Sequence, residues 1–211
     1  MAGAAEPRWR RRAAALLAGL GVAACAALSA APSALGDPAP DPVGHEPPPP
    51  RLPVIVPTPS DWQPKFPALY EDSRRHVTDA DITAQREMCQ WFTAQYDELL
   101  QQIDRFNVKL ISRHGDWAAD DVVAHADAVT ANIDQSVAFL TPRAQALTQT
   151  RTFAGDNYFP LYQGESFYLM WQHLSNVSGG IRARQPAWFT GPSVQRFKYW
   201  GSRINRSHVC R

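Results

Sequence analysis

Between Thr78 and Ser112 the apolar residues recur as they do on one face of an α-helix. Ile82, Cys89, Phe92, Tyr96, Leu99, Ile103, Phe106 and Leu110 form the stripe, and from Cys89 onward the steps alternate between three and four. A stripe that long must be covered along its length by other helices, so it constrains the fold more than any other stretch of the chain. Thr78 offers a capping hydroxyl, and Asp79 and Asp81 place acids near the positive end of the helix dipole. His114-Gly115 supplies the stop.

The later segments repeat the pattern. Asp116 is placed to cap a second helix whose stripe is Val122, Ala126, Val129, Ile133, Val137 and Leu140. Thr141-Pro142 is expected to end it and to restart a short helix running to Gly155. A third long helix carries Phe167, Met170, Leu174, Val177 and Ile181, with Gly179-Gly180 marking a break or a tight contact near its end. Pro186 to Pro192 reads as a turn, after which Val194, Phe197, Trp200 and Ile204 make one face of a last helix. No useful length alternates with a period of two, so the expected fold is all-α, a four- to five-helix bundle over residues 68–211.

Ahead of the bundle lie two segments of different composition. Arg8, Arg10, Arg11 and Arg12 precede an Ala/Leu-rich run from Ala13 to about Leu28, the pattern of a secretory signal over residues 1–36. Ala34-Leu35-Gly36 fits signal-peptidase cleavage near Gly36, while Val22-Ala23-Ala24-Cys25 resembles a bacterial lipobox that would acylate Cys25. Soluble export is the expectation; a lipid anchor is its alternative. Twelve of the 18 prolines fall between Pro38 and Pro67. Proline fixes φ and lacks an N–H donor, so residues 37–67 are expected to be a disordered or extended spacer, with docking onto the domain beginning near Trp62, Phe66 and Tyr70.

With Cys25 removed or acylated, Cys89 and Cys210 remain as a pair in an oxidising compartment. Four long helices of alternating direction return the chain to the end where the first began, which brings Cys210 toward Cys89. A disulfide between them is expected.

Charge is distributed unevenly. The formal net charge is +1, yet no acid follows Glu165, while Arg182, Arg184, Arg196, Lys198, Arg203, Arg206 and Arg211 all do. Interleaved with Trp188, Phe189, Tyr199 and Trp200, these cations suggest a surface for anionic envelope lipid or polymer, with no nucleic acid expected outside the cell. The competing reading is internal: the basic last helix packs against the acidic first and second ones.

Catalytic patterns are incomplete. Asp121 and His125 stand four apart, with His114 and Asp116 close by, but the Glu-x-x-His pairs of di-iron bundles are missing and no metal or cofactor is expected. Gly164-Glu165-Ser166 lacks the second glycine of an esterase elbow. Ser207-His208-Val209-Cys210 resembles the Ser-His-Gly-Cys of L,D-transpeptidases, with valine in place of glycine and a cysteine expected to be in a disulfide. Arg86, Arg105 and Lys109 on the first helix invite a fold-level analogy with exported chorismate mutases, which are all-helical and hold a dianion with arginines and a lysine. The sequence therefore favours an exported bacterial envelope protein that binds or scaffolds through its basic, aromatic C-terminal region. A small all-helical enzyme and a structural bundle that binds another envelope protein are the alternatives.

Overall fold

The computed structural model describes residues 46–66, 71–147, 149–150 and 157–211, all within one compact unit. The signal sequence, Cys25, Gly36 and the first part of the proline-rich segment lie outside the described residues, as does Tyr70. The domain is a helical bundle: α1 Asp79–Ser112, α2 Asp120–Leu147, α3 Gly164–Arg182, the single-turn α4 Pro186–Phe189 and α5 Pro192–Ser207. A 3-10 turn, Glu71–His76, leads into α1. No described helix is long and apolar enough to cross a membrane.

The opening of α1 follows from its first residues. Thr78 Oγ1 accepts the Asp81 N–H at 3.2 Å, and the Asp81 carboxylate accepts the Thr78 N–H at 2.7 Å, a reciprocal capping box. At the other end His114 and Gly115 both take positive φ, and the Gly115 N–H closes back on the Leu110 carbonyl at 2.9 Å.

The start of α2 differs from expectation. Asp116 accepts the Ala118 N–H in a local turn instead of capping a helix, and α2 begins at Asp120. The turn frees Trp117 to pack its ring against Phe106 and Phe189. Nor does α2 end at Thr141-Pro142; it continues to Leu147. Two side chains satisfy carbonyls around the proline: Thr141 Oγ1 donates to the Val137 carbonyl and Arg143 donates to that of Phe139. Beyond the helix, β1 Gln149–Thr150 pairs antiparallel with β2 Asn157–Tyr158 where a short helix was expected.

Helices α1, α2, α3 and α5 pack in succession, with α4 wedged between α3 and α5. The expected stripes become the core, with Leu99, Ile103, Phe106, Val129, Ile133, Leu140, Phe167, Met170, Leu174, Val177 and Phe197 fully buried. Gly180 is a point of tight packing, since a β-carbon there would lie 2.3 Å from Trp188 Cβ, whereas Gly179 faces open space. Between α5 and α1, large side chains bridge the gap: Tyr96 meets Phe197 with ring centroids 5.1 Å apart. Cys89 and Cys210 form the expected disulfide, with Cα atoms 5.1 Å apart across 121 residues of chain. A loop of that length corresponds to about 5 kcal/mol in the chain-entropy account of cross-linking.

Residues 46–66 are integral to this domain rather than a spacer ahead of it. They run extended and antiparallel to α1, along the groove between α1 and α2. Glu46 lies by Arg105 and Lys109, Pro50 and Leu52 by Asn132, Pro53 by Gln95 and Gln135, and Thr58 by Gln90. The prolines leave a backbone rich in acceptors and poor in donors, and helix amides read it. Asn132, fully buried, donates to the Pro50 carbonyl and accepts the Leu52 N–H. Gln90 takes both the N–H and the carbonyl of Thr58. Further on, Trp62 Nε1 donates to the Val209 carbonyl and Lys65 Nζ to that of His208, both at 2.7 Å. The strap is thus fastened at one end beside the disulfide.

Candidate functional site

Six of the seven C-terminal cations divide into two groups, Arg211 lying beside the disulfide. Arg182 on α3 pairs with Asp134 of α2, and Lys198 on α5 with Asp104 of α1 at 2.8 Å. The Lys198 pair is of the internal kind, the last helix meeting an acid of the first, whereas the Arg182 pair joins α3 to α2. Arg184, Arg196, Arg203 and Arg206 have no carboxylate partner among the described residues.

Three of those four sit on one face of α5. At 100° per residue, Arg196, Tyr199, Arg203 and Arg206 fall within about 80° of arc, beside Trp200 and turned away from the buried Val194, Phe197, Gly201 and Ile204. Tyr199 is 47% exposed, enough for its ring to meet a partner. Trp200 is a core residue rather than part of the outer surface. Its ring is nine-tenths buried, with Arg203 stacked over it at 5.0 Å and Tyr199 edge-on at 4.8 Å. Trp200 therefore fixes the orientation of two surface residues from beneath.

Arg184 and Trp188 lie apart from this stripe, around the end of α3. Arg184 takes a positive φ just past the helix and borders a hollow of about 230 Å³ shared with Asp127 and Trp117. Trp188 on α4 is 46% exposed. Behind the α5 stripe, His173 of α3 has its Nδ1 buried without a hydrogen-bond partner. Burial, and then the charge of Arg196, hold its pKa below the ordinary histidine value.

No family model, curated protein or solved structure matches the chain.

The catalytic patterns are not assembled into a site. Asp121 is taken up by Arg113 at 2.7 Å and Lys109 at 3.3 Å, while His125 is buried with Nδ1 against the Asp121 carbonyl. Among the described residues no group of three His, Cys, Asp or Glu side chains is arranged to hold a metal ion. Arg105 pairs with Glu46, and Lys109 is buried beneath the strap. Arg86 stands about 28 Å up the helix from Arg105, so the three cations do not line one cavity. Gly164 opens α3, and Ser166 Oγ donates to Gln163 Oε1. Cys210, closing Ser207-His208-Val209-Cys210, is held in the disulfide.

Two features have no counterpart in the sequence reading. One is Lys109, 1% exposed, with Nζ between Asp121 and the Glu46 carbonyl. Its place between Phe106 and Leu110 in the apolar stripe was the available signal. The other is a cleft of about 710 Å³ between strap residues 60–65 and the first turns of α1, bordered by both cysteines. Only the docked strap creates it.

Proposed function

We propose that the protein is an exported bacterial envelope component without catalytic activity, which binds a densely anionic surface through the outer face of α5. The observation that carries this reading is the stripe of Arg196, Tyr199, Arg203 and Arg206, three arginines with no carboxylate partner on a helix that contains no acid. Nearby carboxylates cost such a face affinity for anions, and here they are absent from α5 while Asp104 serves Lys198 on the helix flank. The exposed Tyr199 ring supplies the amphipathic element favoured at headgroup depth.

Export is carried by the signal pattern of residues 1–36, with cleavage near Gly36 or acylation at Cys25. The Cys89–Cys210 disulfide is consistent with an oxidising compartment. Intact mass of the native protein distinguishes the two processing routes.

Sedimentation with phosphatidylglycerol/phosphatidylcholine vesicles tests the binding, with a soluble polyphosphate as the polymer arm. Each arginine near an anionic surface contributes about 1 kcal/mol, so replacing Arg196, Arg203 and Arg206 together by glutamine should weaken binding about a hundredfold. Raising salt should weaken it as well. Binding indifferent to both changes, or no binding in either arm, would rule the reading out.

A further inference from the structure

At the other end of α1, the cleft under the strap is built differently from the α5 face. Its walls are largely apolar: the Trp62 ring, which is tethered through Nε1 to the Val209 carbonyl, the Cys89–Cys210 disulfide, and Ala94. Arg86 lines it as well. Among the described residues, the guanidinium Nε of Arg86 is out of contact with water and has no hydrogen-bond partner, and Nη2 reaches Thr83 Oγ1 at 3.5 Å. The neighbouring acid on α1, Glu87, is already committed to Arg143 at 2.6 Å. Lys65 and Arg211 also border the cleft, and among the described residues the side-chain carboxylate that opposes them there is that of Asp61.

From this we infer that the cleft is a binding site for an amphipathic monocarboxylate, its acid group on Arg86 and its apolar body along Trp62 and the disulfide. The buried Nε holds the guanidinium in place without a competing partner, and its Nη edge is the part open to the cleft, where a ligand carboxylate matches the planar N–H groups with parallel hydrogen bonds. The volume of about 710 Å³ falls within the range of small-molecule sites, and mostly apolar walls with one convergent charge are the usual lining of such sites. A compact, highly charged anion would leave the apolar walls unused. This site is independent of the α5 stripe.

Calorimetric titration of the disulfide-intact protein tests it, with dodecanoate below its micelle concentration as the probe and dodecanol and dodecyl phosphate as comparators. One-to-one binding of dodecanoate is expected, weakened about ten- to a hundredfold in Arg86→Gln, the range for losing a hydrogen bond to a charged group. Dodecanol should bind at least tenfold more weakly. Ala94→Phe fills the cleft from an exposed helix position and should abolish binding without loss of helical signal. The triple α5 variant should bind dodecanoate as the parent does, which separates this site from the proposed surface function. Absence of saturable binding, full affinity in Arg86→Gln or in Ala94→Phe, or tighter binding of dodecyl phosphate would each overturn the assignment.

Discussion

Tyr96 lies directly over Gly201, so closely that a β-carbon at position 201 would sit 2.1 Å from the phenolic oxygen. The ring cannot swing aside, because Phe92 stacks on it at 4.6 Å and Phe197 flanks it at 5.1 Å. Burial, and then the charges of Asp97 and Asp104, raise the hydroxyl pKa, so it stays neutral in this contact. Gly201→Ala should therefore cost about 1–3 kcal/mol by overpacking, even though alanine is the better helix former. Urea unfolding of the oxidised protein measures the cost; an unchanged midpoint would show that α5 is free to move off α1.

The helices were legible because each buries one face, and burial of one face writes a period of 3.6 into the sequence. The parity of those helices was enough to join Cys89 to Cys210. What escaped depends on polar groups whose partners are remote in sequence. Pro142 read as a helix end because its lost backbone bond is visible in sequence, whereas Thr141 and Arg143 filling in around it are not. The strap read as a spacer because prolines exclude helix and central strand. Its anchors are amides on other elements: Gln90, Gln95, Asn132 and Gln135. Two of these, Gln95 and Asn132, are buried, with the buried Gln102 accepting from Asn132 behind the strap, and an uncharged amide recurring beside an apolar stripe was the signal for a docked extended chain. On the basic region, the sequence left surface binding and internal pairing side by side, because which cation meets which acid depends on the packing: Arg182 and Lys198 are paired, whereas Arg184 and the α5 arginines are not.

Lys109 and Asp121 form an unequal pair. Lys109 is 1% exposed and needs the carboxylate, whereas Asp121 keeps Arg113 at 2.7 Å in any case. Hydrogen bonds from Arg113 first and Lys109 second hold the Asp121 pKa below the ordinary carboxylate value. Its stabilising contribution is accordingly present above that ordinary value and lost as pH falls below it. Asp121→Asn should cost about 1.5–3 kcal/mol by leaving a buried ammonium short of its countercharge. Lys109→Met, which removes the charge and keeps the volume, should cost less. Thermal unfolding of the two variants at neutral pH gives the comparison; a larger loss for Lys109→Met would mean that the Glu46 carbonyl contact matters more than the ion pair.

His173 should make the fold sensitive to mild acid. Its pKa is lowered in the folded state, by burial first and Arg196 second, so the unfolded chain takes up the proton more readily. Stability is then unaffected well above the ordinary histidine pKa of about 6.5 and falls as pH drops from there through the lower folded value. Urea unfolding at pH 7.5 and pH 5 should show a smaller acid-side loss in His173→Phe than in the parent. Equal losses in both would place the acid sensitivity elsewhere.

Asn132 holds the strap more firmly than any exposed clamp can. Fully buried, it donates to the Pro50 carbonyl and to Gln102 Oε1, at 2.8 and 2.7 Å, and accepts the Leu52 N–H at 3.0 Å. Asn132→Ala removes all three bonds and leaves the buried Leu52 N–H and Gln102 without a partner there, a cost of about 2–3 kcal/mol. Gln90→Ala, losing the two solvent-exposed bonds to Thr58, should cost about 0.5 kcal/mol. Arg51 provides a direct readout, since it lies exposed in the strap between the two residues that Asn132 grips. Trypsin should cleave after Arg51 slowly in the parent, little faster in Gln90→Ala, and much faster in Asn132→Ala. The contrast follows from burial, because a protease needs several residues of free backbone and Asn132 grips the chain immediately on both sides of the bond to be cut, whereas Gln95 and Gln135 hold only the far side. Rapid cleavage at Arg51 in the parent protein would mean that the strap leaves its groove readily and that the cleft it forms over α1 is transient.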